Sequence, residues 1–393
     1  MSATRITSFR GAIPSAAPKL LENSQAHRAV NCDLSRGDLR PWSGLAAPNT
    51  LDTDLDKASG NYVQAIHLFR GEYWLHWHHQ AHAGRGPIAD NTEERTYFTV
   101  EDNSPPQVTD ATMATSGNDG EYPRQSRPVG VPAPRSAPSA SANGECDSAN
   151  KRTTLYVYTF VNDWGEEGPP SPPSGTVDRC VDGSVSLTGL DDYADSYGSV
   201  VNARYSHDVT TKRVYRAATG SRGTSYQWVM DISASDTSVE DAKPDSALGE
   251  VLPSRSWYPP PEDMTGLVML PNGIAAGKSG QDLYLSEQYL PHAWPETYRH
   301  TLEYEIVGLG VIGQSIIACT QGTPYIVQGT APGSYTAKKI PVGQACVSSK
   351  SIVGIEGGVL YASPDGLVQV TGQDARVITS GVLSRDDWQA LSP

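Results

Sequence analysis

Between Gly280 and Gly366 the chain reads Asp282-Leu-Tyr-Leu-Ser-Glu, then Pro291-His-Ala-Trp-Pro, then Thr323-Pro-Tyr-Ile-Val-Gln-Gly, then Val359-Leu-Tyr-Ala-Ser-Pro-Asp-Gly366. Each phrase is a short β run with an aromatic inside, stopped by a turn. Three such units follow one another at a spacing of roughly 40 residues, the length of a four-stranded propeller blade. The repeat predicts an architecture and names no chemistry.

Working outward, residues 259–393 are predicted to hold three blades and a short C-terminal helix. The run 306–318 reads as strand, turn and strand, because three glycines and Gln314 interrupt its apolar residues. Ser384 is a candidate N-cap for a helix through Trp388, with Asp387 where a capping box usually has Glu. Residues 61–114 read as a first blade. Two strands, 62–70 and 73–77, join at Gly71-Glu72, 95–100 and 107–109 follow, and Gly84-Arg-Gly-Pro87 is expected to be a loop. Residues 1–60 are broken by Pro14, Pro18, Pro41 and Pro48 and are expected to form an arm lying on another surface. A short helix is expected over 19–31, with Leu20, Leu21, Ala26, Ala29 and Val30 on its apolar face.

Residues 115–151 alternate Pro with Ser, Ala, Gly and Arg, and are expected to be a linker or surface loop. Residues 152–258 then change character. Tyr-rich and β-branched runs predict a β-sandwich inserted between the first blade and the others, near the usual size of such modules. Gly165-Glu-Glu-Gly-Pro-Pro-Ser-Pro-Pro-Ser174 and Arg213-Val-Tyr-Arg216 resemble fibronectin type III modules. The predicted class is all-β, with propeller-like blades and an inserted fibronectin type III-like sandwich.

Composition agrees. In 393 residues there are 37 Gly, 29 Pro and 19 Tyr against 4 Phe, a balance suited to short, half-exposed strands rich in turns. The net charge of −14 argues against a protein that coats nucleic acid, which needs a basic stripe. It permits an acidic channel that DNA slides through. Five cysteines (Cys32, Cys146, Cys180, Cys319 and Cys346) form no CxxC pair, so neither a zinc framework nor a disulfide scaffold is expected, and reduced thiols made in a cytosol account for them. Neither a signal peptide nor a transmembrane helix is expected.

Few residues suggest chemistry. His76, His78, His79 and His82 cluster beside Trp74 and Trp77, and two of them with Asp90 have the types to hold a metal. No second ligand group at a characteristic spacing supports that, and packing in a mixed polar–aromatic surface is expected instead. Asp282, Glu287 and the Ser363-Pro-Asp-Gly366 turn contain carboxylates. Glycosidase chemistry needs two facing one sugar across a fixed gap, whereas Pro-Asp-Gly is ordinary turn chemistry. Gly277-Lys278-Ser279 lacks the upstream glycine of a P-loop. Arg204, Lys212, Arg213 and Arg216, interleaved with Tyr205 and Tyr215, make a basic patch that either touches phosphate or is a solvated strand face; the face is favoured. No catalytic, cofactor-binding or metal residue is assigned.

Several phrases resemble one protein group. They are Leu20-Leu-Glu-Asn-Ser-Gln-Ala, Ala29-Val-Asn-Cys-Asp-Leu-Ser-Arg-Gly-Asp-Leu-Arg-Pro-Trp42, Arg85-Gly-Pro-Ile-Ala-Asp90, Ser286-Glu-Gln-Tyr-Leu-Pro-His-Ala-Trp-Pro295, Ala345-Cys-Val-Ser348 and Tyr361-Ala-Ser-Pro-Asp-Gly-Leu367. In that order they resemble the tail nozzle, or tail tubular, proteins of short-tailed bacteriophages. The resemblance implies a structural, non-enzymatic virion protein: a hexameric ring below the head-to-tail adaptor, forming the distal part of the DNA-ejection channel. It implies attachment of tail fibres or spikes, double-stranded DNA passing through without specific binding, and assembly in host cytoplasm. Proteins of this group continue past the point equivalent to Arg385-Asp-Asp-Trp388, so blades missing here are implied to be absent or supplied by a second chain. Two other readings stand beside it: a carbohydrate-binding or carbohydrate-cleaving propeller, and a fibre-attachment adaptor without a channel.

Overall fold

The structure is a computed structural model and describes residues 8–33, 36–38, 40–42, 44, 62–88, 94–116, 123–145, 147–194, 206–220 and 223–391. The chain is all-β, with four-stranded propeller-like blades and an inserted fibronectin type III-like sandwich. It divides into two compact units. One gathers residues 1–54, 302–329 and 336–393, and the other 55–301 and 330–335.

In the larger unit, β3 (Ala65–Phe69) and β4 (Tyr73–Trp77) form a hairpin on their own. The first blade is the meander β5 (Ala81–Arg85), β6 (Thr96–Val100), β7 (Gln107–Thr109) and β8 (Arg127–Pro128), with α1 (Ala111–Thr115) between the last two. Gly84 therefore sits inside a strand rather than in the expected loop. The reason is contact: a Cβ there would lie 2.6 Å from Met269 Cγ, in the strand that packs alongside. The expected linker over 115–151 is also ordered where described. Arg127–Pro128 closes the blade, Val129 and Val131 are buried, and β9 (Ser139–Ala142) joins the sandwich. Composition misleads here because small residues suit a tightly paired edge as well as they suit a loose linker.

The sandwich continues with β10 (Lys151–Thr154), β11 (Tyr156–Asn162), β12 (Val177–Cys180), β13 (Val185–Thr188), β14 (Val209–Gly220), β15 (Gly223–Ser233) and β16 (Ser238–Asp241). One sheet has the order β9-β13-β16 and the other β11-β14-β15, while β10 and β12 pair separately. Alternation decides which face is inside. Tyr156, Tyr158 and Phe160 point into a core with Val185, Leu187, Val214 and Val229. The proline-rich stretch after β11 does more than end it. The N–H groups of Gly168, Ser171 and Ser174 donate to the carbonyls of Phe160, Tyr158 and Tyr156. Every third residue donates, as a polyproline II strand of three residues per turn requires, and the prolines between them have no N–H to leave unpaired. The free edge of β11 is thus covered.

The second blade, β17 (Thr265–Met269), β18 (Ala275–Ser279), β19 (Asp282–Leu285) and β20 (His300–Thr301), belongs to the same unit. It packs on the first through Tyr97, Val108 and Val129 against Met264, Leu267, Ala275 and Trp294.

The smaller unit holds β21 (Ile306–Ile312), β22 (Ser315–Thr320), β23 (Tyr325–Gln328) and β24 (Thr336–Lys339), then β25 (Val353–Ile355), β26 (Gly358–Ser363), β27 (Gly366–Thr371) and β28 (Asp374–Val377). The two blades share one core, with Ile317, Cys319, Ile326, Ile340 and Cys346 against Val359, Tyr361, Val368 and Val370. The cap at Ser384 forms as expected. Its Oγ accepts from Asp387 N at 3.2 Å and donates to the Asp387 carboxylate at 2.5 Å, opening α2 (Arg385–Leu391). The expected helix over 19–31 is instead one 3-10 turn at Pro18–Leu20, with Leu20 exposed. Ala26 pairs with Ala12 in an isolated bridge, and β1 (Cys32–Asp33) pairs with β2 (Arg40–Pro41). An arm without a core of its own has nothing against which to bury an apolar helix face.

Candidate functional site

The chemically densest region lies where the sandwich meets the two blades of the larger unit. The β11–β12 connection begins with a tight turn that Asn162 organises. Its Oδ1 accepts from the backbone N–H of Trp164 (3.1 Å) and Glu166 (2.9 Å). This presents the Trp164 indole to two arginines of the first blade. Arg127 stacks 3.1 Å from the ring centroid on one side of the contact, and Arg95 lies 4.0 Å from it. Each cation is also paired. Arg95 donates to Glu166 at 3.1 Å, and Arg127, 3% exposed, donates to Asp163 at 2.6 Å and Asp208 at 3.1 Å. The second blade contributes His292, whose Nδ1 lies 3.7 Å from Glu166 and whose ring meets Trp257 edge-on.

Beside this clamp is a cavity of about 310 Å³. Six of its lining residues are prolines (Pro105, Pro106, Pro128, Pro132, Pro259 and Pro260), with Val129, Arg135, His207 and Glu262. His207 is fixed by its Nδ1, which is 2.7 Å from the carbonyl of Gly130. Gly130 is required there: at φ +88, a Cβ would meet Pro259 Cα at 2.8 Å and His292 O at 2.9 Å. The walls are mostly proline with three ionisable side chains among them, and contain no nucleophile next to a base.

Burial pushes the imidazole pKa values of His292 and His207 below the usual value. Glu166 beside His292, and the Gly130 carbonyl on His207, pull only partly the other way. Both rings are therefore held neutral, while the unfolded chain protonates near 6.5. With the folded pKa depressed, the stabilisation is fully present above about 6.5 and is lost as pH falls from there through the folded values. Urea midpoints are expected to be flat above that pH and to fall below it, before the carboxylates titrate. His292→Gln should flatten the slope in that window, which a midpoint series with pH checks.

The residues that suggested chemistry in the sequence are dispersed into structural roles. His76 is buried with Nδ1 3.2 Å from the Trp74 carbonyl, and its ring meets His78 at 6.5 Å. Among the described residues, no group of three or more His, Cys, Asp or Glu converges on a metal position; Asp90 lies outside the described residues. Asp282 accepts from Thr301 Oγ1, and Glu287 accepts from Tyr298 OH at 3.0 Å. Asp365 of the Ser363–Gly366 turn accepts from Gln344 and pairs with Arg385. The expected solvated basic face is corrected. Lys212 is buried and donates to the Asp236 carbonyl, Arg216 is buried against Asp241, and Arg213 pairs with Glu167. Arg204 and Tyr205 lie outside the described residues. Lys212 and Arg216 lie on the buried face of β14 with Val214, and Arg213, partly exposed on the other face, meets carboxylates.

Sequence reasoning missed Trp164, Arg95, Arg127 and His292 as one cluster. The available signal was local: a tryptophan directly before Gly165-Glu-Glu-Gly168 in a turn. Its partners are 71 and 36 positions away from Glu166 and Asp163, and no spacing rule connects them.

No helix among the described residues is long and apolar enough to cross a membrane. No family model matches the chain, and no curated protein matches it. Among solved structures the chain has a likeness to PorZ, an essential bacterial surface component of the type-IX secretion system of Porphyromonas gingivalis. Identity is 12% over 63% of this chain, with a TM-score of 0.22, and the match spans about a third (32%) of the PorZ chain. A likeness that weak carries no argument about fold detail or function.

Proposed function

We propose that this chain is a structural virion protein, the tail nozzle of a short-tailed bacteriophage. Six copies form a ring below the head-to-tail adaptor, line the distal part of the DNA-ejection channel and offer fibres or spikes a surface. The observation that supports this reading is where the buried charges go. Arg95, Arg127, Glu166, Glu167, Arg216 and Asp241 are consumed in pairs that lock modules or strands together. A conduit under ejection load needs rigid joints of this kind, whereas an enzyme needs charges held open toward substrate. Part of the resemblance also falls on joints. In Ser286–Pro295, Ser286, His292, Ala293 and Trp294 are buried, and the Trp294 indole N–H donates to the Pro291 carbonyl at 2.7 Å.

The test is electron microscopy of the chain mixed with its adaptor, or of intact virions. A six-fold ring with an axial pore at the tail is expected. A monomer off the tail axis that cleaves or binds polysaccharide would overturn the proposal in favour of the carbohydrate reading. A fibre-bound particle without a pore would favour the attachment adaptor.

A further inference from the structure

The N-terminal arm displays apolar side chains instead of burying them. Leu20 and Val30 are exposed, and Trp42 is 67% exposed. Of the eight tryptophans, Trp42 alone is exposed. It directly follows β2, and its backbone N–H donates to the Asn31 carbonyl at 2.9 Å, so the indole is presented from a pinned position. The arm is also the basic part of an acidic chain. Residues 1–44 hold six Lys and Arg against three Asp and Glu, a net +3; the whole chain is −14, so residues 45–393 carry −17. Such an arm is drawn to the acidic body of another copy.

The proline-lined cavity suits that indole. At about 310 Å³ it lies at the small end of ligand sites, with room for one ring system and not for an extended chain. Its six prolines offer ring C–H groups and no backbone N–H, and C–H groups pack on the electron-rich face of an indole. Their fixed φ angles make the walls preformed, so little ordering entropy is lost when a ring enters. His207 adds direction. The Gly130 carbonyl beside its Nδ1 can only accept, so the proton sits on Nδ1 and Nε2 keeps its lone pair. Among the described residues no donor bonds to Nε2. The indole N–H is a donor only, which is the complement of this acceptor. Arg135 and Glu262 cancel in charge at the lining, so the long-range attraction is that of the arm for the acidic body as a whole.

We propose that Trp42 of one copy inserts its indole into the proline-lined cavity of a neighbouring copy, packing on the proline rings and donating its N–H to His207 Nε2. The contact is heterologous, arm on one side and cavity on the other, which is the kind of contact that closes into rings. The inference rests on the ring reading above and supplies the contact between neighbours.

The experiment puts a photoreactive benzoylphenylalanine in place of Trp42 in the full chain. This chain is mixed at millimolar concentration and low salt with wild-type chain labelled with heavy nitrogen, irradiated, digested and read by mass spectrometry. The linked heavy peptides are expected to carry Pro106, Pro132 or Pro259. Their yield should fall several-fold at high salt, which screens the arm's charge. Excess indole should suppress them several-fold, and 1-methylindole, which lacks the N–H, much less. Links to any other surface of the heavy chain, or links confined to the unlabelled chain, overturn the proposal. Absence of heavy links while free indole still binds assigns the cavity to a ring of another protein and overturns it too. Equal competition by 1-methylindole overturns the bond to His207. Microscopy separates this inference from the nozzle reading: a six-fold tail ring that Trp42→Ala forms as well as wild type sinks the contact and leaves the nozzle standing.

Discussion

A fragment of residues 152–258 is expected not to fold cooperatively, whereas a fragment of 129–258 is expected to do so. The difference is the segment that composition marks as linker. Its β9 pairs with β13 through four residue pairs, Ser139 to Ala142 against Thr188 to Val185. Its Val131 is fully buried in the sandwich core. The Ser136 carbonyl accepts from Tyr158 OH at 3.1 Å, and the N–H groups of Arg135 and Ser136 donate to Asp191 at 2.6 and 2.9 Å. Those amides hold the Asp191 carboxyl below its usual value despite its burial. Losing Val131 alone removes about 1.5–3 kcal/mol of burial. An edge strand and two polar partners go with it, and a small domain has only about 5–15 kcal/mol in total. Urea unfolding followed by circular dichroism decides the matter. Equal, sigmoidal transitions for both fragments would show that the 129–151 segment is dispensable.

The repeat that opens the sequence reading was legible because it is local. Several hairpins of the later blades close over two-residue turns, as at Gly313-Gln314 and Pro364-Asp365, so the pattern and the pairing share one stretch of chain. The first blade was misread because its outer strands are short or unusual. Arg127–Pro128 is two residues long and lies 18 positions after Thr109 (127 − 109), and Ala81–Arg85 carries a glycine. The separate β3–β4 hairpin, with its clean β pattern, took their place. At the candidate site only the turn residues were legible. The Arg95, Arg127, Trp164 and His292 cluster is made by tertiary packing, which brings three modules to one point. Alternation also fails for cations: Lys212 and Arg216 share the parity of Val214 on β14, yet each finds an internal partner and is buried.

Replacing Asp241 by Ala is expected to lower stability by about 3–5 kcal/mol, the range for breaking a buried ion pair from one side. Its partner Arg216 is 1% exposed and Asp241 is 0% exposed, with Nη1 to Oδ2 at 2.5 Å. The same carboxylate accepts from Tyr156 OH and from Lys243 N, each at 2.8 Å. The substitution therefore strands a guanidinium, a phenol and an amide together. Asp245, the other carboxylate on Arg216 at 2.9 Å, is half exposed and compensates only in part. Asp241→Asn keeps an acceptor for Tyr156 and removes only the charge, so it should fall between wild type and Asp241→Ala. Removing both charges is a different matter, because two well-packed apolar groups need no desolvation. Arg216→Met with Asp241→Leu should recover only the part of the loss due to the stranded guanidinium, because the Tyr156 phenol and the Lys243 N–H still lack their acceptor and Asp245 and the Lys243 carbonyl lose a donor. The measurement is the urea midpoint of the four proteins at constant slope. A value for Asp241→Ala within about 1 kcal/mol of wild type would place the pair with exposed ion pairs of little consequence, and the sandwich would owe its order to Tyr156, Tyr158 and Phe160 alone.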